Sequence, residues 1–425
     1  MLIKKMKDSG VEWIGSIPKH WEVIKLKNKY KFITGFTPPS NSDKYYDHMY
    51  GYLWATISDL SKNEYIYETK NKVSGKYIEE YAPKIIPKGS FLYSFKLSIG
   101  EKGFAGLNMY TNEAIASFIK NENRYSIRFL YYSSFLIEYN CQYNIYGAKL
   151  LNQNLIRNAK VVFPPIKEQR KIANILDRKR NNLDEIILKT HQSIDELKKY
   201  KQSLITEVVT KGLNPNVEVK DSGIGWIGCI PEPWRITKLN QLFSIKKHIA
   251  NKTGYDVLSV TQSGLRVRDI TKNEGQMATD YSKYQIVEKD DFVMNHMDLL
   301  TGWIDIAQQQ GVTSPDYRVF YNKQKKFAVN KYYLYVFQTA YINKIFYGLG
   351  QGVSNVGRWR LQTDKFLNFY VPLPSLDEQK EISSYLDRQT IEIDKLVENK
   401  ESIIEELENY KKSLIYEYVT GKKEA

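Results

Sequence analysis

Residues Pro164 to Gly212 read PPIKEQRKIANILDRKRNNLDEIILKTHQSIDELKKYKQSLITEVVTKG, and the pattern returns from Pro374 to Lys422 at an offset of 210 residues. The correspondence includes Glu168-Gln169 with Glu378-Gln379. Neither copy has an internal Gly or Pro, and the apolar residues recur in alternating steps of four and three. The repeat therefore predicts two long helices, each spanning on the order of 65 Å at 1.5 Å per residue.

The apolar steps predict that the two helices form a coiled coil. Polar residues interrupt the apolar seam, and they are Arg180, Thr190 and Lys201 in the first copy and Thr390, Lys400 and Lys411 in the second. The first copy is net positive, and the second is net negative. Opposite charge favours pairing of the two helices with each other over self-pairing. The predicted seam consists of Ile172, Leu176, Leu183, Ile187, Ile194, Leu197, Leu204, Ile382, Leu386, Ile393, Val397, Ile404, Leu407 and Leu414.

A second repeat precedes each globular region. Asp8 to Pro18 reads DSGVEWIGSIP and Asp221 to Pro231 reads DSGIGWIGCIP, followed by Trp21 and Trp234 respectively. The Gly and Pro content predicts turn-rich docking segments in which tryptophans anchor an irregular path. We call them the WIG segments. If the second helix ends beside the first WIG segment, the helices must be antiparallel.

The remaining regions predict two mixed α/β (α+β) domains, because short β-branched and aromatic runs alternate with helical patterns and Gly or Pro turns. The predicted organisation has four parts: a docking segment with a first domain (1–164), a spacer helix (165–213), a repeated docking segment with a second domain (214–374), and a C-terminal spacer helix (375–425). The two domains share little sequence with each other.

Composition indicates the class of partner. The 425-residue chain carries a formal net charge of +14, and most of the basic excess lies outside the two predicted helices. This favours a polyanionic partner for the globular domains. The two cysteines, Cys141 and Cys229, form no CxxC pair, and we find no signal sequence or long apolar run, so we expect a soluble cytoplasmic protein.

Taken together, the duplicated Glu-Gln helix start, the duplicated Trp-Ile-Gly-x-Ile-Pro segment and two dissimilar domains resemble the specificity subunit of type I restriction-modification systems. The resemblance covers essentially the whole chain. It implies two target-recognition domains that each read half of a split, asymmetric DNA site, joined by paired spacer helices.

The same resemblance implies several partners. These are double-stranded DNA, two methyltransferase (modification) subunits that use S-adenosylmethionine, and two restriction motor subunits that use ATP and Mg²⁺. The implied role in DNA methylation and restriction is non-catalytic, with no cofactor bound by this chain.

The sequence itself offers no catalytic motif. The Pro-Pro pairs Pro38-Pro39 and Pro164-Pro165 do not lie in the Asn/Asp-Pro-Pro-Tyr/Phe motif of an adenine methyltransferase. The run Gly348 to Gly352 lacks phosphate-binding spacing, and the histidines show no metal-ligand spacing. We therefore predict no catalytic residue and no metal site.

Candidate DNA-binding residues come from polar segments of the two domains, because base edges are read by Arg, Lys, Asn and Gln while Lys, Ser and amides hold phosphates. For each one, an ordinary solvated surface position stays an alternative. The candidates in the first domain are Lys96, Ser98, Lys102, Tyr146, Lys149, Asn152 and Gln153. The candidates in the second domain are Arg266, Arg268, Gln351, Ser354, Asn355, Arg358 and Arg360.

Two other functions compete with DNA recognition. A coiled-coil adaptor that binds protein partners would bind without the steep salt dependence of phosphate contacts. A self-sufficient nuclease or methyltransferase is disfavoured by the missing motifs, and activity of the purified chain alone would be needed to support it.

Overall fold

The computed structural model describes residues 5–39, 42–61, 63–269, 280–352 and 359–425. The chain divides into two compact units, a first unit of Met1–Lys189 with Ser402–Ala425 and a second unit of Thr190–Glu401. Both are mixed α/β, as predicted. The first long helix, Ile166–Lys211, begins in the first unit and ends in the second, and the second long helix, Leu376–Val419, does the reverse.

The first unit is built on a five-stranded sheet. Its strands lie in the order Phe32–Thr34, Ile115–Phe118, Phe91–Ser94, Lys102–Ala105 and Tyr65–Ile66, antiparallel except for the last pair. A smaller sheet contains Tyr110–Thr111, Tyr52–Ala55 and Asn71–Val73. Three two-stranded pairs complete the β-structure described for this unit: Met6–Asp8 with Ser16–Pro18, Glu22–Lys25 with Lys160–Phe163, and Gln142–Tyr143 with Lys149–Leu150. The short α-helices are Ile57–Leu60, Gly75–Tyr81, Ile127–Ser133, Phe135–Glu138 and Gln153–Asn158.

The second unit has a four-stranded antiparallel sheet in the order Phe243–Lys246, Arg318–Asn322, Phe292–Met294 and Ile304–Ile306. Two-stranded pairs are Val219–Asp221 with Cys229–Pro231, Arg235–Lys238 with Tyr370–Leu373, Leu258–Thr261 with Gly264–Val267, and Gln285–Val287 with Gly311–Thr313. The short α-helices are Leu239–Leu242, Asn330–Ile342, Ile345–Gly348 and Thr363–Leu367. Aromatic rings fill the core, including Phe292 stacked on Phe320 at 4.9 Å.

The two long helices contact each other inside each unit. In the first unit the Lys411 ammonium lies 2.9 Å from the Asp184 carboxylate, and in the second unit Lys201 lies 2.7 Å from Asp394. The lysines are 210 residues apart and so are the aspartates, so one ion pair is repeated. All the predicted seam residues are buried or half-buried. Lys201 and Lys411, which lie in the apolar seam, therefore form ion pairs between the two helices.

A glutamate at the start of each long helix binds a tryptophan that follows a WIG segment. The Trp21 indole N–H donates to Glu168 at 2.8 Å, and Trp234 donates to Glu378 at 3.1 Å. The other Glu378 oxygen accepts from the amide and hydroxyl of Ser375, whose hydroxyl oxygen accepts from the Glu378 amide. Ser375 and Glu378 thus form a capping box at the start of the second long helix.

The glutamine that follows holds the next element of each domain. The fully buried Gln169 accepts a hydrogen bond from the Ser126 amide at 2.9 Å and donates to the Pro164 carbonyl at 2.8 Å. Gln379 is equally buried and makes the equivalent pair, accepting from the Val329 amide at 2.8 Å. Each glutamine therefore joins a long helix to the entry of a domain helix through otherwise unpaired backbone groups.

The C-terminal end of the second long helix lies on the first WIG segment. The Tyr416 hydroxyl donates to the Trp13 carbonyl at 3.2 Å, and the Lys422 ammonium donates to the Ile14 carbonyl at 3.0 Å. The second long helix therefore ends beside the first WIG segment, which is the condition under which the two long helices must be antiparallel.

Gln169→Ala should destabilise the first unit by about 2 to 4 kcal/mol, because it leaves a buried N–H and a buried C=O without partners. The measurement is urea unfolding followed by tryptophan fluorescence. Gln192→Ala, on an exposed position of the same helix, should change the free energy of unfolding by less than about 0.5 kcal/mol. Equal effects of the two substitutions would contradict the role given to Gln169.

Candidate nucleic-acid interface

Two polar loops of the first unit meet at one glutamate. The Lys149 ammonium lies 3.6 Å from the Glu138 carboxylate. Gly100 lies so close that a Cβ added there would be 2.7 Å from Glu138 Oε1. The structure therefore brings the loop over residues 95–101, with Lys96 and Ser98, beside the hairpin that carries Lys149.

That hairpin, residues 142–150, presents an ordered turn to solvent; we call it the reader hairpin. The Asn144 side-chain oxygen accepts from two backbone amides of the turn, including that of Tyr146 at 2.9 Å, and Gly147 adopts a φ of +77°. Ile145 is 91% exposed and Tyr146 is 87% exposed. An ordered tip with exposed apolar and aromatic side chains suits contacts with thymine methyls or base faces. Ile145 was not among the sequence candidates, because polarity was the signal used.

The remaining exposed candidates of the first unit have identifiable neighbours. Lys96 lies 3.7 Å from Glu113, which offsets part of its charge. Asn152 accepts from the amide of Leu155 at 2.9 Å and thereby caps the helix Gln153–Asn158. The side-chain amide of Gln153 donates a hydrogen bond to the Thr34 hydroxyl at 3.1 Å.

Lys102 points into the unit. Its ammonium donates to the Tyr131 carbonyl at 3.0 Å and to the Ser134 hydroxyl at 3.2 Å, and it lies 4.5 Å from the Tyr131 ring centre. Burial, reinforced by nearby arginines, lowers the pKa of Lys102 to about 8. These contacts favour a structural role for Lys102. The sequence pattern, which is charge around a glycine turn, could not distinguish this buried lysine from an exposed one.

In the second unit, Arg266 lies on the hairpin formed by Leu258–Thr261 and Gly264–Val267, opposite Ser259, and is exposed. The amide of Arg268, just beyond this hairpin, donates to the Val257 carbonyl at 2.7 Å. The structure therefore places both arginines at one projecting hairpin.

Gln351 and Arg360 close a second loop of this unit. Their backbone groups exchange two hydrogen bonds, at 3.0 and 3.1 Å, and both residues are exposed. Gln351 and Arg360 lie about 210 residues after the paired strands of the reader hairpin. The two units therefore carry a loop at equivalent positions. The candidates Ser354, Asn355 and Arg358 lie outside the described residues.

A buried arginine contacts the residues that follow Arg360. Arg318 is 5% exposed, donates to the Leu361 carbonyl at 2.9 Å and lies over the Phe366 ring at 4.7 Å. Burial lowers its pKa to about 10, and burial together with this cation lowers the pKa of His296 to about 3. Arg318 was missed because a strand arginine surrounded by apolar residues gives no sequence signal.

The long helices expose apolar side chains as well as charge. In the first unit these are Ile186, Leu188, Ile403 and Tyr410, and in the second unit Tyr200, Ile391 and Leu396, each 47 to 66% exposed. Because these side chains are exposed, they are available for contact with a protein partner.

The described residues contain no group of three or more His, Cys, Asp or Glu side chains placed to hold a metal ion. Within the same residues, no helix combines the length and apolar character required to span a bilayer.

Comparison with known proteins identifies the repeat. The family model described as the type I restriction modification DNA specificity domain matches residues 18–199 and again 231–409. The chain is 24% identical to the type I restriction enzyme MjaVIII specificity subunit of Methanocaldococcus jannaschii, over 96% of this chain and 93% of that protein. It is 21% identical to the EcoBI specificity subunit of Escherichia coli, over 98% of this chain and 89% of that protein.

Solved structures show the same fold. The HsdS subunit of Thermoanaerobacter tengcongensis matches with a TM-score of 0.56 at 13% identity, over 98% of this chain and all of that chain. A chain from a structure concerned with complex assembly and conformational transition of the type I R-M system matches with a TM-score of 0.71 at 14% identity, over 96% and 99% of the two chains.

Lys102→Met should flatten the rise in stability between about pH 8 and pH 10. In that window the unfolded chain binds the Lys102 proton and the folded chain has released it, so raising the pH stabilises the wild-type fold by about 1 kcal/mol per pH unit. Urea unfolding at pH 7.5, 8.5 and 9.5 measures the slope. The exposed Lys96→Met variant is the control, with an expected slope equal to wild type, and an unchanged slope in Lys102→Met would contradict the assignment.

Proposed function

Because the chain belongs to the type I restriction modification DNA specificity family, we propose that it recognises a bipartite, asymmetric DNA site, with one half read by each unit. The observation that carries this proposal is the duplicated domain with dissimilar loops. The same framework positions a hairpin in the first unit and a bridged loop in the second, but the side chains differ. Two unlike readers on equivalent frames would recognise two unrelated half-sites.

The exposed groups support direct readout. Gln153 and Lys149 in the first unit, and Arg266 and Arg360 in the second, are donors of the kind that reach base edges in the major groove. Ser98 and Lys96 are suited to phosphates, which fix position and carry little sequence information. The net positive charge of the chain supports a DNA partner.

The chain acts in a complex with the other subunits of a restriction-modification system. We assign the exposed apolar groups of the long helices to two methyltransferase subunits, and two motor subunits complete the restriction complex. S-adenosylmethionine, ATP and Mg²⁺ would be used by those partners, and this chain would supply specificity without catalysis.

Gln153→Ala and Arg266→Ala should each relax one half-site and leave the other intact. A lost bidentate base contact costs about 1 to 3 kcal/mol. Each variant is expressed with its methyltransferase subunits, and methylated sites are read by methylome sequencing. Lys76→Ala, exposed in the first unit, is the control and should leave both halves unchanged. Relaxation of the same half by both variants would contradict two separate readers.

Insertion of one heptad after Thr190, with a matching heptad after Lys400, should lengthen the unspecified gap and preserve both halves. Seven residues add about 10.5 Å of helix, or about three base pairs at 3.4 Å each. Matched insertion keeps Lys201 against Asp394 and Lys411 against Asp184 in register.

The same methylome measurement gives the gap. A heptad in one helix alone is the control, and it should reduce assembly because the repeated ion pairs lose their register. An unchanged gap in the matched variant would argue strongly against the helices as a spacer.

A further inference from the structure

Two lysines face each other across a strand pair in the first unit. Lys25 ends the strand Glu22–Lys25, and Lys160 begins its partner strand, directly opposite in the antiparallel register. Both are exposed. Like charges directly opposite each other destabilise a strand pair. The carboxylate on this strand, Glu22, lies at its far end opposite Phe163.

Two further cations extend this pair. Lys27 lies on the 3₁₀ turn that follows Lys25, and the helix that carries Arg157 packs against that turn. The Arg157 guanidinium lies 4.7 Å from the Phe32 ring centre. We call Lys25, Lys27, Arg157 and Lys160 the basic patch. Across the described part of the chain, none of the four has a carboxylate within 4.0 Å, and all four are exposed.

The fold does not require this charge. The second unit has the same strand pair, in which Lys238 lies opposite Tyr370 and donates to the Asn368 side chain at 3.3 Å. The positions equivalent to Lys27 and Arg157 are Asn240 and Leu367. One lysine therefore remains where the first unit has four cations, so the patch is a property of the first unit and not of the repeated frame.

The basic patch adjoins the candidate reading elements. The Lys160 amide donates to the Asn140 side chain at 3.3 Å, immediately before the reader hairpin. Arg157 follows Gln153 by one helical turn, so both lie on the same side of their helix. A ligand that touches the reader hairpin and Gln153 would pass beside the patch.

We propose that the basic patch binds backbone phosphates of the duplex beside the half-site read by the first unit, and so contributes sequence-independent affinity to this unit. The proposal rests on the proposed DNA-recognition function. Lysine is depleted in protein–protein interfaces, whereas protein–DNA interfaces are strongly positive. Within residues 19–35 and 151–163, which carry the four cations, no large apolar side chain is strongly exposed; the nearest ones along the chain are Phe36 and Leu150. These two features favour DNA over an acidic protein.

The test uses the complex with its methyltransferase subunits and a fluorescein-labelled 40-base-pair duplex of mixed sequence. In the triple variant Lys25→Gln, Lys27→Gln and Lys160→Gln, the slope of log K against log salt concentration should decrease in magnitude by about 2 to 3. Each lost phosphate contact lowers the magnitude of this slope by about one. The methylated sequence in cells should stay the same. Arginine at the same three positions should retain the wild-type slope.

The matched control is Lys76→Gln, Lys84→Gln and Lys88→Gln, three exposed lysines of the same unit, which should retain the wild-type slope. An equal decrease of the slope in both triple glutamine variants would show that the effect depends only on net charge, and it would overturn the proposal. So would an unchanged slope in the first triple, or loss of methyltransferase assembly with DNA binding intact. Absence of salt-dependent duplex binding by the wild-type complex would instead overturn the proposed function itself.

Discussion

A buried amide at the start of each long helix is the constraint on which the rest of the structure depends. A glutamine side chain has one acceptor and two donors. In both units it accepts from one backbone N–H and donates to the proline carbonyl that precedes its helix, and Gln379 donates also to the Phe327 carbonyl. Burying those groups unpaired would cost about 1 to 3 kcal/mol each. Glutamate cannot replace it, because an ionised carboxylate only accepts.

The repeated polar contacts fix register more than they add stability. The Lys201 and Lys411 ion pairs are partly exposed, and pairs of this kind contribute at most about 1 kcal/mol each. An unpaired lysine in the apolar seam would nevertheless disfavour any other alignment of the helices. Each long helix also ends in a glycine that lies close to a tryptophan ring, Gly212 to Trp234 and Gly421 to Trp21. A Cβ added to these glycines would lie 3.1 and 3.0 Å from the indole rings, so the close approach favours glycine at both helix ends.

The sequence predicts the long helices well but does not show which side chains come together, and the reason is physical. Helical periodicity and the offset of 210 are local or repeated signals, so they predict Ile166–Lys211 and Leu376–Val419 closely. The acceptors for Trp21 and Trp234 lie about 145 residues away, and no local pattern indicates them. Lys102 and Lys96 look alike in sequence, yet one points inward and the other lies exposed beside an acid, because side-chain direction follows from strand pairing.

The contacts that hold each frame together explain why the readers could diverge. The glutamine, glutamate and lysine contacts involve the long helices, the WIG segments and the first turns of the domain helices, and none involves a residue of the reader hairpin or of the Gln351–Arg360 loop. Substitutions in those loops leave the frame's buried groups satisfied. One unit could therefore carry the four exposed cations of the basic patch, while the other has Lys238 opposite Tyr370 and a buried Arg318 that donates to the Leu361 carbonyl. Duplication thus gives two equivalent frames, and the surfaces on these frames can differ in charge and shape.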